Sequence, residues 1–192
     1  MISLLQIAVW MAFFIGIYIA TFWLLTFLEF FEKQRNETKK FPKVTIAIPA
    51  YNEEKGILDT INSVFALDYP KECMELIVVN DGSTDKTRKL VSDIISNNKV
   101  LDIKLVNQEN SGKGAALNNA LRYSKGEFFI VLDADSIVAS DALKKMLPSF
   151  DEEDVAVALP LMKIRNPKSF LQKIQWIEYT INFFYKTLMG AL

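Results

Sequence analysis

The chain has 192 residues and a formal charge of −1, and 51% of it is hydrophobic, enough for one ordinary domain plus membrane-directed surface. Twenty-two basic residues against twenty-three acidic ones exclude a general electrostatic pull toward nucleic acid, so any phosphate recognition must be local. A single cysteine, Cys73, and no histidine exclude a disulfide framework, a cysteine-based zinc cluster and the commonest general base, leaving carboxylates for metal or acid–base work.

No side chain from Met1 to Leu28 is charged, and this run exceeds the roughly 20 residues needed to cross a bilayer core. Nothing basic precedes it and aromatic residues fill its end from Phe22 to Phe31, unlike a cleaved signal peptide with its basic start and small-residue close. Residues 1–31 are therefore expected to form one uncleaved transmembrane helix. Lys33, Arg35, Lys39, Lys40 and Lys43 come next, so residues 32–43 read as a basic linker, and the positive bias places the remainder of the chain on the cytoplasmic side. One cysteine suits that reducing compartment.

Beyond the linker, short β-rich runs alternate with helical stretches, the pattern of βαβ units and a mostly parallel sheet with flanking helices, an α/β fold. Strands are expected near Val44 to Ile48, Glu75 to Val79, Ile103 to Val106, Phe128 to Leu132 and Val155 to Leu159. Helices are expected near Glu54 to Phe65, Asp85 to Ser96, Gly114 to Tyr123 and Asp141 to Leu147. Ligands of such sheets bind beyond the carboxyl ends of the strands. Those ends carry Pro49-Ala50-Tyr51-Asn52-Glu53, then Asn80-Asp81-Gly82-Ser83-Thr84-Asp85, Asn110-Ser111-Gly112-Lys113-Gly114, and Asp133-Ala134-Asp135.

Near the extended end of a strand, residues i and i+2 project to one side, so Asp133 and Asp135 bring two like charges together. Such a pair favours a shared proton or a cation, and a small set of hard oxygen ligands suits Mg²⁺ or Mn²⁺ shared with substrate phosphates. A calcium loop fails on spacing, because Ile137 and Val138 stand where it needs an oxygen ligand and a glycine. A P-loop fails because Asn107 replaces its first glycine and Gly114 its hydroxyl residue, and a dinucleotide loop fails because Pro49-Ala50-Tyr51 lacks its glycines. What remains around Lys113 is a flexible turn holding one lysine, near a phosphate or simply solvated. Asp81, before Gly82, can accept an imide N–H from uracil or cap a helix, a role that fits Asp85 better. Tyr51 offers a ring face and a hydroxyl, and Asn52 and Glu53 offer hydrogen bonds to a base or ribose.

In this order the four stretches resemble the glycosyltransferase family 2 domain, with its GT-A, Rossmann-like fold, from Val44 to about Leu159. The resemblance implies a nucleotide-sugar-binding domain over residues 44–166 and a UDP-sugar donor. It implies Pro49, Ala50, Tyr51, Asn52, Glu53 and Asp81 around the nucleoside, Lys113 near the donor phosphates, and Asp133 toward the ribose or diphosphate. It also implies Asp135 as the ligand of a divalent metal, Mg²⁺ or Mn²⁺.

From Pro167 onward, Phe170, Ile174, Ile177, Ile181, Phe184 and Leu188 mark one face of an amphipathic helix over residues 167–192. Trp176, Tyr179 and Tyr185 suit a membrane interface or packing on the sheet. This segment also resembles the one after the donor domain in membrane-embedded cellulose, chitin, hyaluronan and poly-N-acetylglucosamine synthases, with Gln175, Glu178 and Tyr179 matching. That favours a polymer-type enzyme acting on a saccharide or lipid-linked acceptor at the membrane.

An inverting transferase needs a base for the acceptor hydroxyl. The family carries it in a later acidic motif, and the synthases add Gln-x-x-Arg-Trp; neither occurs here. Asp151 to Asp154 reads as a solvated turn. The base is expected downstream of Leu192, and the chain is expected to be the amino-terminal part of a longer enzyme. Two alternatives stand beside this expectation: a sugar transferase acting on polyprenyl phosphate, similar to dolichol-phosphate mannose synthases, and a non-catalytic membrane module that binds a nucleotide or a partner.

Overall fold

The structure, a computed structural model, describes residues 3–32, 41–151, 154–160, 162–164 and 166–189; the side chains of 26–32 and 184–189 lie outside that description. Lys33, Arg35, Lys39 and Lys40, and the side chains of Phe184, Tyr185 and Leu188, therefore fall outside it. The chain divides into two compact units, Asn36–Ala158 on one hand and Met1–Arg35 with Leu159–Leu192 on the other.

In the first unit, strands β1 (Val44–Ala50), β2 (Met74–Asp81), β3 (Asp102–Gln108) and β4 (Phe128–Val131) form one parallel sheet in the order β3-β2-β1-β4. β2 is buried along its whole length and β1 nearly so, as expected where helices cover both faces of a parallel sheet. The period of two sorts their side chains. Ile46, Ile48, Leu76 and Val78 point to one face and join Ile57, Ile61 and Val64 of α2 (Ile57–Phe65) and Val91 of α3 (Thr87–Asn97). Ala47, Ile77, Val79 and Val106 point to the other and meet Ala116 and Ala120 of α4 (Lys113–Tyr123). Two alanines four residues apart let α4 lie close to the sheet.

α2 and α3 begin two or three residues later than the alternation predicts. The reason is local: the Glu53 carbonyl accepts the N–H groups of Gly56 and Ile57 (3.1 and 3.0 Å), and Asp85 accepts the N–H of Thr87 (2.9 Å), so Glu54 and Asp85 belong to the turns that open these helices. α5 (Ala142–Met146) runs into a 3₁₀ turn, Leu147–Asp151. The strand expected over Val155 to Leu159 does not form. Residues 155–160 join no ladder, and Val157 and Leu159 are 73% and 78% exposed. Apolar alternation marks a segment that could half-bury one face and does not by itself supply the pairing that makes a strand.

In the second unit, α1 (Leu4–Glu32) and α6 (Phe170–Met189) each open with a reciprocal Ser-x-x-Gln capping box. Ser3 N donates to Gln6 Oε1 (2.9 Å) and Gln6 N to Ser3 Oγ (3.2 Å); Ser169 N donates to Gln172 Oε1 (3.0 Å) and Gln172 N to Ser169 Oγ (3.2 Å). Leu4–Leu25 of α1, 22 residues of mean hydropathy 2.1, is long and apolar enough to cross a membrane, about 33 Å at 1.5 Å per residue.

Below the amino ends of β1 and β2, Thr45 Oγ1 donates to Glu75 Oε1 and accepts the N–H of Gly126 (2.9 Å), and Glu75 Oε1 also accepts the N–H of Lys125. A Cβ at Gly126 would stand 2.5 Å from Thr45 N and 2.8 Å from Val44 C, a clash with backbone that no side-chain rotation relieves. Gly126→Ala is expected to destabilise this unit by about 1–3 kcal/mol, read as a lower melting temperature by circular dichroism; an unchanged transition would contradict this packing.

Candidate functional site

The order β3-β2-β1-β4 fixes where a ligand can enter. The chain winds outward from β1 through β2 to β3 with α2 and α3 on one face, then crosses on the other face with α4 to place β4 on the far side of β1. The winding thus reverses beside β1, and the loops at the carboxyl ends of β1 and β4 leave a crevice there. A cavity of about 270 Å³ occupies it, lined by Pro49, Ala50, Tyr51, Glu53, Asp81, Lys113, Asp133, Ala134 and Asp135. Eight of the nine positions singled out in the sequence thus share one cavity. Asn52 does not line it.

Asn52 sits in the left-handed region (φ 55°), which asparagine tolerates better than most residues. Its Oδ1 accepts the N–H of Thr84 (2.8 Å) and its own N–H donates to Ser83 Oγ (3.0 Å). Glu53 N donates to Thr87 Oγ1 (2.8 Å), Glu54 N to Asp85 Oδ2 (3.0 Å), and Lys86 N to Glu54 Oε2 (3.1 Å). The loops after β1 and β2 are thereby laced together, with Tyr51 and Glu53 left facing the cavity and Asn52 spent on the lacing. Ser83, Thr84 and Thr87 carry this work. Ser83 and Thr84 belong to a stretch legible as turn-forming in the sequence; the role of Thr87 and the partner loop were not legible there.

Asp81, 4% exposed, is the hub of the crevice floor. Its Oδ1 accepts from Gln108 Nε2 (2.7 Å) and Ser111 N (2.8 Å), and its Oδ2 from Gly112 N (2.9 Å). Burial alone would push the carboxyl up, but the three donors outweigh it and hold the group below its usual 3.8. Gly112 has φ 87°, and this conformation, open to glycine, aims its N–H at Asp81 and starts α4 with Lys113. Gly82, at φ 73°, has no room for a Cβ, which would stand 2.7 Å from Asn110 N.

The Asp133–Asp135 turn is held from behind. Thr60 Oγ1 of α2 donates to the Ala134 carbonyl (2.7 Å), and Gly56 lies so close that a Cβ would stand 3.1 Å from Ala134 O and Asp135 Cα. Ser136 N donates to Asp133 O (3.0 Å) and closes the turn. Lys113 Nζ donates to Asp133 Oδ1 (2.5 Å), both side chains being about half exposed, so the ion pair contributes about 0–1 kcal/mol and is readily exchanged for another anion. Among the described residues Asp135 accepts only a 3.4 Å bond from Ser136 Oγ. The Glu53 carboxyl is pushed up by burial first, then by the charges of Asp135, Asp85 and Asp133.

Four carboxylates against one ammonium make this crevice a place where a cation is favoured, and the hard oxygen set fits Mg²⁺ or Mn²⁺. Among the described residues no three carboxylates come close enough to cage a metal alone. A cation here would complete its shell with water and ligand oxygens, which is how Mg²⁺ usually binds beside phosphates.

The family model for glycosyl transferase family 2 matches residues 45–191. The poly-beta-1,6-N-acetyl-D-glucosamine synthase of Staphylococcus aureus (strain COL) is 40% identical over 137 residues, covering 71% of this chain and 32% of that protein. The protein of the same name from Staphylococcus epidermidis is 33% identical over 178 residues, covering 86% and 42%. The chain thus spans a third to two fifths of the length of these curated relatives. Among solved structures, the mannosyltransferase PcManGT of Pyrobaculum calidifontis in complex with GDP-Man and Mn²⁺ superposes with a TM-score of 0.60 at 28% identity, over 71% of this chain and 43% of that one. S. aureus TarS 1–349 in complex with UDP-GlcNAc superposes with a TM-score of 0.52 at 28% identity, over 64% and 38%.

Because Asp81 has a lowered value, its carboxylate stabilises the fold above pH about 4, and that contribution is lost as pH falls through the lowered value. Asp81→Asn is expected to cost about 2 kcal/mol at pH 7 and to flatten the acid part of the stability profile, measured by urea unfolding with circular dichroism. Equal stability of the two proteins at pH 7 would contradict the hub.

Proposed function

The chain belongs to glycosyltransferase family 2, and from that premise we propose that it forms the donor-binding part of an inverting, membrane-anchored transferase that uses a UDP-sugar. The observation that carries the reading is the single crevice that holds Tyr51, Glu53, Asp81, Lys113, Asp133 and Asp135 at the switch point of the sheet. A nucleoside diphosphate needs a ring face, an acceptor for the base, and cationic groups for the phosphates. Tyr51 supplies the first. Asp81 supplies the second, since three of its roughly four acceptor sites are filled from within the protein and one on Oδ2 is left.

Lys113 supplies the third: it leaves Asp133 and pairs with a donor phosphate, while Asp133 turns toward the ribose or diphosphate side and Asp135 holds the divalent cation. When bound, that cation supplies Lewis-acid neutralisation of the departing nucleoside diphosphate. Lys113 adds a second positive charge where negative charge develops as the glycosidic bond breaks. The acceptor hydroxyl attacks the anomeric carbon from the face opposite the leaving group and gives up its proton to a general base.

N-acetylglucosamine as the sugar, and a growing polysaccharide as the acceptor, are supported by the names of the two staphylococcal relatives and by the UDP-GlcNAc complex of TarS. Anchoring is supported by Leu4–Leu25. The basic residues beyond it, Lys33, Arg35, Lys39, Lys40 and Lys43, support a cytoplasmic position for the sheet unit. A second reading, a GDP-mannose donor, is favoured by the PcManGT complex, since a guanine also offers a ring N–H to an ionised carboxylate.

Calorimetry on the full chain in detergent micelles separates these readings. UDP is expected to bind in MnCl₂ at least tenfold more tightly than in EDTA, and Asp135→Ala should remove that difference. Unchanged Mn²⁺ dependence in Asp135→Ala would overturn the metal assignment, and tighter binding of GDP than of UDP would favour the second donor.

A further inference from the structure

Among the described residues one side chain hydrogen-bonds Asp81, and it comes from the neighbouring strand. Gln108 stands opposite Asp81 in the β2–β3 register, and the period of two turns both toward the face covered by α4. Gln108 Nε2 donates to Asp81 Oδ1 (2.7 Å), and Gln108 Oε1 accepts from Asn119 Nδ2 of α4 (3.0 Å). The orientation of this relay has a cause. An ionised carboxylate only accepts, so the amide must present its NH₂ to Asp81, and its oxygen then faces α4, where only a donor is tolerated. The other two bonds to Asp81 come from backbone N–H groups of the turn between β3 and α4, Ser111 and Gly112. Among the described residues Gln108 is the one side chain that ties the carboxylate to the neighbouring strand.

The geometry points to Gln108, oriented by Asn119, as a positioning residue that fixes the rotation of the Asp81 carboxylate and so keeps the acceptor left on Oδ2 directed at the nucleoside end of the crevice. This rests on the nucleotide-binding reading above but goes beyond it, because Gln108 is not among the residues that line the cavity. Hydrogen bonds to a charged group are the strong ones. Removing this one frees the carboxylate to turn and raises its proton affinity. The other charged groups of the crevice, Lys113, Glu53, Asp133 and Asp135, are left as they are. Lys104, on the same face of β3, is engaged over the Tyr123 ring (4.8 Å).

The test compares wild type, Gln108→Met and Gln108→Glu as full chains in micelles with MnCl₂, titrating UDP calorimetrically from pH 4 to pH 8. Methionine keeps the volume and removes the amide; glutamate keeps the shape and sets a carboxylate against a carboxylate. We expect Gln108→Met to weaken UDP about tenfold at pH 7 and to shift the acid limb of binding to higher pH, with Gln108→Glu weaker still. Amide exchange at Ser111 and Gly112 should accelerate in both variants. Wild-type UDP affinity with an unmoved acid limb in Gln108→Met would overturn the inference. If wild type itself binds no UDP, the nucleotide reading fails on its own, and unchanged protection of Ser111 and Gly112 in Gln108→Met would still overturn the positioning role.

Discussion

The hydrogen bonds that Asp81 accepts from Ser111 and Gly112 are what the crevice depends on. They join the end of β2 to the turn that starts α4, and so decide where Lys113 can reach. α4 is also seated by Ala116 and Ala120 on the sheet and by Asn119 on Gln108, but these two bonds are the ones that set the turn itself, with Gly112 at φ 87°, against the end of β2. A buried carboxylate is costly unless donors surround it. This one has three, and their arrangement turns a penalty into an anchor.

Around that anchor the protein separates two tasks. Rigid positioning is done by groups pointing away from the cavity: Asn52 laced to Thr84, Thr60 on the Ala134 carbonyl, Gly56 against Asp135. Of the groups facing the cavity, Asp81 is fixed by its three donors, whereas Lys113 is held by an exchangeable partner, Asp133, and Asp135 by a single long bond. Such a division suits a pocket that must take up a charged ligand and release it. On the proposed function, the excess of carboxylates over ammonium couples the two ligands: the cation offsets the negative charge that repels the diphosphate, and by linkage the diphosphate then favours the cation equally.

Much of this was legible in the sequence. Four short apolar runs with polar, turn-forming ends marked out the sheet, and the rule that ligands sit at carboxyl ends gathered Tyr51, Glu53, Asp81, Lys113, Asp133 and Asp135 into one expected site. What was not legible depends on register and on partners. Gln108 sits in an undistinguished "VNQEN" stretch and acquires its role only because β3 pairs with β2 so that it faces Asp81. The polar side chain of Asn52 carries no sign in the sequence of its bond to Thr84, which depends on the left-handed backbone and on the neighbouring loop. Val155 to Leu159 has a strand's alternation but joins no ladder, and alternation carries no information about which edge is available.

On the proposed function, one crevice at the switch between β1 and β4 takes a nucleoside diphosphate and its metal together. A crystal structure of the chain grown with UDP and Mn²⁺ tests this most directly. The uracil is expected against Tyr51 with its imide N–H on Asp81, the diphosphate beside Lys113, and an anomalous Mn²⁺ peak on Asp135. Nucleotide bound elsewhere, or Mn²⁺ ligated without Asp135, would contradict it.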